Sequence, residues 1–401
     1  MPLTLSLTLV VTFSFLVSRI LHRFSARWLT TSSAYVGVGV LCGPEVGGVL
    51  DRAAIEQLGP AISVTLGVVG FVLGLPLARE LRSAGDVEAG LGAGSLTIVG
   101  VGAASFLALR AAGIDDPVFP ALTLGAAAAA TSRPTLDIAS RRLGARGEVT
   151  KLVKSMALVG DILAVMVSGF ALAVAVAGSS SERLGLGPAA WILASAAIGV
   201  ACGLLFHFFM AAEASEERVF LATVGVIVFA SGLASAVGIS ALVLNAVAGV
   251  TVAVASRRRG DRAATARTLA EPAVIVLLIF AGALWSSEDA PVAPLLALPL
   301  AAVGFAVLRA VALFVFGRLA VQLTPRVEAV PRVGYGLFPL GGVSVAIALN
   351  YRLLDLPAGN LVLTAVAGAA IVTELFASSY LTVLLVDAGE VPDLDRTRRS
   401  G

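Results

Sequence analysis

Charge is what this chain has least of. Of its 401 residues, 13% are charged, where an ordinary soluble domain carries about a quarter. Too little polar surface is present to wrap a water-soluble domain of any size. Cysteine and histidine are nearly as scarce, at two each. Cys42 and Cys202 stand alone within apolar runs and read as core thiols. His22 and His207 are too few and too far apart to make a metal site. A nucleophile–base pair, metal-ligand spacing and a phosphate-binding loop are all missing, so nothing points to an enzyme, a cofactor or a nucleic-acid partner.

What the chain has instead is hydrocarbon. Hydrophobic residues make up 58% of it and the mean hydropathy is +0.96. That composition predicts an all-α polytopic membrane protein, with the bilayer as a partner. Thirteen apolar runs can be traced, at 3–18, 33–50, 59–78, 90–109, 118–140, 153–177, 188–210, 219–236, 238–255, 269–285, 292–317, 333–350 and 358–386. The eighth and ninth are joined so closely that the division between them is the least certain. Leu3 to Val17 has no basic residue before it, which favours a retained first span over a cleaved leader. The 42 glycines suit helices packed closely through small residues. The tail after Val386 is short, and its Pro392 and arginines read as a solvated cap.

Basic residues support the thirteen-span count. Twenty-two of the 28 fall in odd-numbered connections and the C-terminus, and four in even-numbered ones: Arg52, Arg110, Arg183 and Arg352. By the positive-inside rule the N-terminus is outside and the C-terminus cytoplasmic, in a cell membrane. The last two, Arg133 and Arg309, lie inside runs.

Polar groups at membrane depth mark candidate functional sites. Asp161 sits well inside the sixth run, ~12 Å from its nearer end and ~24 Å from its farther one at a rise of ~1.5 Å per residue. Arg309 is similarly deep in the eleventh. An acid and a base on different spans suggest a proton or cation carrier, with Asp161 holding a transient Na⁺ or K⁺ and Arg309 compensating charge. A structural ion pair between them is the competing reading.

Two runs should not be continuous helices. The fifth contains Thr131-Ser132-Arg133-Pro134, and Pro134 breaks or kinks a helix there. The twelfth contains Pro339, Gly341, Gly342 and Ser344. Irregular backbone at this depth is tolerated only when buried in protein or lining a cavity. Two interrupted spans in corresponding halves point to a transporter binding site. The fifth and twelfth are seven apart, so runs 1–6 and 8–13 would be inverted repeats with crossed breaks.

At these residues the chain resembles the monovalent cation:proton antiporter superfamily, the sodium(potassium)/proton exchangers, over nearly its whole length. AYVGVGVLCGPEVGGVL (34–50) is similar to the family's second span, and LGVVGFVLGLPLARELR (66–82) to its third. AAATSRPTLDIASRRLGARGEVTKLVKSMALVGDILAVMV (128–167) follows the "ATxP…RELGARG…ALDDVLAI" signature. LVLNAVAGVTVA (242–253), LRAVALFVFG (308–317), YGLFPLGGVSVAIAL (335–349) and IVTELFASSYLTVLL (371–385) resemble later spans in order.

The resemblance implies a thirteen-span inverted repeat forming a transporter domain over 1–386, with a short tail at 387–401. A scaffold, spans 1–82 and 219–285, would form a homodimer. A core, 90–177 and 292–386, would move against it, with 188–210 as the linking span. Asp161 aligns with the ion-binding acid and Arg309 with the buried base. Two departures touch the site. Gly160 stands where the family usually has Asp or Asn, and Arg133 takes the place of the proline two residues after Thr131.

These readings assign Asp161, Thr131 and Ser132 as ion- and proton-binding residues. Arg133, Asp137, Gly160, Ser344 and Glu374 are modulators, and Asn245 is a weaker candidate. Arg133 and Asp137, spaced i, i+4, either pair with each other or leave Arg133 as a positive charge beside the cation site. A single carboxylate that alternates between one proton and one monovalent cation predicts electroneutral exchange serving pH homeostasis. An anion or organic-acid transporter on the same scaffold, suggested by Arg133, and a non-transporting membrane sensor remain as alternatives.

Overall fold

The structure, a computed structural model, describes residues 12, 31–76, 84–184, 188–210, 216–255, 259–285, 294–324, 330 and 332–391. Regular structure among them is entirely helical, because lipid offers no partner to an unpaired backbone group. In chain order the helices are α1 (Thr31–Cys42), α2 (Arg52–Gln57), α3 (Gly59–Gly74), α4 (Ala84–Ala111), α5 (Val118–Ala129), α6 (Arg133–Leu143), α7 (Glu148–Leu184), α8 (Pro188–Met210), α9 (Glu216–Val237), α10 (Ala241–Ala255), α11 (Arg259–Ala283), α12 (Pro294–Leu323), α13 (Val333–Leu337), α14 (Gly342–Leu353) and α15 (Gly359–Asp387).

Within α4, α7, α8, α9, α12 and α15 lie six stretches long and apolar enough to cross a bilayer. Shorter apolar helices occupy the runs of α1, α3, α10 and α11. The chain is a multi-pass membrane protein. The expected run at 3–18 lies outside the described residues, apart from residue 12, as does the tail from 392 onward.

Several boundaries differ from the apolar runs for identifiable reasons. The second run was expected to continue to residue 50, but α1 stops at Cys42. Gly43, Pro44 and Gly48, the last at φ +61°, turn the chain there. Conversely, α7 and α11 overrun their hydrophobic stretches at one or both ends. Backbone bonding propagates past the hydrocarbon edge wherever the polar residues are themselves helix formers. The eighth and ninth runs are separate helices, divided by Gly238 at φ +77°.

The helices fall into two packed groups. In the first, α1 lies on α11, and α3 on α10 and α11, while α8 and α9 cover α10. The α3–α10 contact is close enough to exclude side chains. A Cβ on Gly249 would strike the Phe71 carbonyl, and one on Gly70 the Leu242 carbonyl. Close backbone approach of this kind is how membrane helices gain dispersion energy without a hydrophobic drive.

In the second group α4 packs on α5, α7 and α12, and α15 packs on α12, α13 and α14. The two interrupted helices, α5/α6 and α13/α14, lie within this group.

Just beyond α15, Glu390 reaches the first turn of α7. Its carboxylate accepts from the backbone N–H of Val149 (2.6 Å) and Thr150 (3.1 Å) and from the Thr150 hydroxyl. An anion on the unsatisfied amides of a helix N-terminus is favourable. Glu390 ties α15 to the helix that carries Asp161. Pro392 and the arginines beyond it, read as a solvated cap, lie outside the described residues.

Candidate ion-binding site

The site is built where the two interruptions cross, and each proline accounts for its own break. Pro134 has no N–H, so the carbonyl four residues back, on Ala130, cannot receive its usual helical donor. α5 therefore ends at Ala129, Ala130 is extended (ψ 144°), and α6 restarts at Arg133 with the proline in its first turn, where it is tolerated. Pro339 does the same between α13 and α14. There Gly341 is extended (φ −120°, ψ −179°), and a Cβ on it would lie 2.8 Å from Cα of Ser132. Glycine is what lets the two extended segments touch.

Two donors of the first break stitch it to the second. Ser132 N–H donates to the Pro339 carbonyl at 2.8 Å, and the Thr131 hydroxyl donates to the Leu337 carbonyl at 3.1 Å. The orphan carbonyls at the ends of α5 and α13 converge on one side chain. Arg309, fully buried on α12, donates Nε–H to Ala128 O (2.9 Å) and Nη2 to Ala130 O (2.8 Å) and Leu337 O (3.0 Å). Its Nη1 donates to Phe338 O. Two helix C-termini, each carrying partial negative charge, are thus neutralised by one guanidinium. The rigid fork of five N–H donors makes arginine suited to this in a way lysine is not.

Asp161 lies on α7 beside the first break and is 1% exposed. Its Oδ1 accepts the Thr131 backbone N–H at 2.8 Å, a donor freed from helical bonding by the break. Its Oδ2 accepts Nε–H of Arg133 at 3.0 Å. An ionised carboxylate offers about four lone-pair sites, of which these contacts take two. The Thr131 hydroxyl keeps its own oxygen lone pairs.

The structure redistributes the expected ion pairs. Asp161 does not pair with Arg309, whose donors are spent on carbonyls, but with Arg133. Arg133 and Asp137 do not pair with each other. Asp137 bonds Lys154 of α7 at 2.6 Å instead. The i, i+4 spacing allows the intrahelical pair, yet α7 runs alongside α6 and offers each residue a partner on the other helix.

Thr131 and Ser132 both lie at the crossing, the Ser132 hydroxyl being shared with Thr135 (2.8 Å). Ser344, fully buried on α14, sits with Oγ 3.5 Å from Ala130 O. Glu374 is buried on α15, well beyond the second break. Asn245 belongs to the other packed group, where its Nδ2 donates to Ser231 and Ala241.

Gly160 has a packing reason. A Cβ there would stand 2.7 Å from the Ala129 carbonyl, and Gly94 of α4 comes close on another side. The larger residue usual at this position does not fit against the end of α5 as it stands. Replacing Gly160 with Ala should cost ~1–3 kcal/mol of overpacking. Gly160→Asp should cost more and displace the Ala129 carbonyl, lowering the melting temperature of purified protein below that of the alanine variant.

Sequence reasoning placed Asp161 and Arg309 at depth but missed their partners. The Arg309 acceptors are main-chain carbonyls, which no residue identity announces. The Arg133–Asp161 pair does have a sequence signal, in that Arg133 adjoins the Pro134 break and one of its two readings is a positive charge beside the cation site.

Comparison with known proteins came to the same fold. Residues 5–387 match the family described as "Sodium/hydrogen exchanger, transmembrane". Among solved structures, the sodium proton antiporter MjNhaP1 from Methanocaldococcus jannaschii, determined at pH 8, superimposes with a TM-score of 0.68 at 16% identity. The match covers 96% of this chain and 99% of that one. No curated protein sequence matches significantly.

Proposed function

This chain belongs to the sodium/hydrogen exchanger family, and on that premise we propose that it exchanges one monovalent cation, Na⁺ or K⁺, for one proton, with Asp161 as the shared carrier. The observation that carries the reading is the crossing itself. A single buried carboxylate faces two interrupted helices whose C-terminal carbonyls are already neutralised by Arg309. That leaves Asp161 as the one group at the crossing whose charge can be cancelled by either a proton or a metal ion. Thr131 and Ser132 are the neutral oxygens beside it.

Transport by alternating access follows if the group containing α4–α7 and α12–α15 moves against the group of α1, α3 and α9–α11, with α8 linking them. Because Asp161 holds one proton or one cation, the moving group carries the same charge in both half-cycles. The scaffold group forms the homodimer contact, and the N-terminus faces outward, in keeping with the arginine bias of the connections.

The anion-transport reading gains no support. Arg309 is held by four carbonyls, and Arg133 stands against the Asp161 carboxylate, whose like charge disfavours a carboxylate or phosphate substrate beside it.

Proteoliposomes loaded with a pH gradient test the reading. External Na⁺ or K⁺ should dissipate the gradient at a rate that is unchanged when a membrane potential of either sign is imposed. A rate that follows the potential would rule out one-for-one exchange.

A further inference from the structure

The proposed carrier is already paired with a cation that belongs to the protein. Arg133 opens α6 at the break and places Nε 3.0 Å from Oδ2 of Asp161. We propose that Arg133 is a tethered competitor: its guanidinium takes the position of the transported cation on Asp161 and must be displaced before that cation binds, so that it sets the affinity of the site. The inference rests on the function proposed above.

Two features argue for displacement rather than a permanent brace. The contact is made by Nε alone, not by the two-pronged fork that gives arginine–carboxylate pairs their strength. The Arg133 side chain is 26% exposed, whereas Asp161 is 1% exposed. A swing of the guanidinium away from Asp161 therefore moves it toward the open side of the site instead of deeper into the packed interior.

The contrast with Arg309 sharpens the assignment. Arg309 is fully enclosed and makes four bonds to main-chain carbonyls, so its release would leave orphan groups at both breaks. Arg133 makes one bond to the very atom a cation needs. It is built to leave, and Arg309 to stay.

Competition of this kind also shapes selectivity. An incoming ion must gain more from Asp161 and the nearby oxygens of Thr131 and Ser132 than the guanidinium loses. A monovalent ion that cannot gather several oxygens at once would fail to displace it.

The test is cation-dependent thermal stabilisation of the purified full-length protein, titrated with Na⁺ and K⁺. Wild type, Arg133→Gln and Asp161→Asn are compared, with no proton gradient involved. Removing the competitor should lower the half-saturating cation concentration about 10- to 100-fold, the scale of one charge-assisted hydrogen bond, while Asp161→Asn removes the response. An unchanged or higher half-saturating concentration in Arg133→Gln, with the response still lost in Asp161→Asn, overturns the competitor role and leaves the exchange reading standing. No response to either ion in wild type or Arg133→Gln sinks both.

Should Arg133→Gln not fold, the wild type supplies its own readout. Saturating cation should increase labelling of Arg133 by an arginine-directed dicarbonyl reagent, followed by peptide mass spectrometry. Labelling that cation leaves unchanged would overturn the proposal.

Discussion

Asp161→Asn should abolish cation-driven proton movement while leaving the fold intact. The asparagine carbonyl oxygen can still accept the Thr131 N–H that now bonds Oδ1 at 2.8 Å, so the local backbone keeps its partner. What is lost is the negative charge and the capacity to exchange it for a proton. Truncating the charged partner of a bound cation costs ~2–5 kcal/mol of binding, a loss of at least ~30-fold in cation affinity. In proteoliposomes the rate should fall to that of empty vesicles across the accessible pH range. Residual exchange above about a tenth of wild type would mean that another group carries the proton.

The wild type should carry the matching pH signature. When a proton and a cation compete for the same carboxylate, the half-saturating cation concentration rises as pH falls, approaching tenfold per pH unit once the carboxyl is mostly protonated. The maximum rate at saturating cation should be far less sensitive. Asp161→Glu keeps the titratable group but lengthens the side chain by ~1.5 Å. It should therefore retain the pH dependence with weaker cation binding, separating loss of chemistry from loss of geometry.

The residues that made this site legible are those whose cost is visible in one dimension. A carboxylate in a hydrocarbon run, as at Asp161, and an arginine in another, as at Arg309, are expensive wherever the chain folds. Pro134 and Pro339 likewise announce interrupted helices, because a missing N–H is a local fact. The arginine bias of the connections supports a span count without any knowledge of packing.

What stayed hidden depends on adjacency between distant segments. Nothing local indicates that Arg309 will find carbonyls of residues 128, 130, 337 and 338, since every residue owns a carbonyl. Asp137 could be expected to choose Arg133 four residues away, yet it bonds Lys154 across the α6–α7 contact. Glu390 looks like one more charge in a polar tail, and only the folded chain places it on the amides of Val149 and Thr150. Gly160 reads as a missing acid until the Ala129 carbonyl is seen 2.7 Å from where its Cβ would be.

Arg309 is where the largest stability effect should appear. Its guanidinium donates to carbonyls at the ends of both α5 and α13, and its side chain is fully buried. Arg309→Met keeps much of the volume but leaves the Ala128 and Phe338 carbonyls without this donor, while Leu337 O keeps the Thr131 hydroxyl and Ala130 O the more distant Ser344 hydroxyl. Each unsatisfied buried acceptor costs ~1–3 kcal/mol, offset in part because an uncompensated cation no longer has to be buried. A net loss of ~3–5 kcal/mol is expected, seen as a melting temperature lower by roughly 5–10 °C in detergent. Arg309→Lys should recover only part of this. An ammonium has three donors around a single point and cannot span carbonyls that lie on both sides of the crossing. The two variants should also part company in transport, because the lysine still supplies the positive charge the crossing needs whereas methionine supplies none. If Arg309→Met melts within ~1 °C of wild type, the four carbonyl bonds do not hold the breaks together. The crossing would then have to be maintained by the Ser132–Pro339 and Thr131–Leu337 bonds alone.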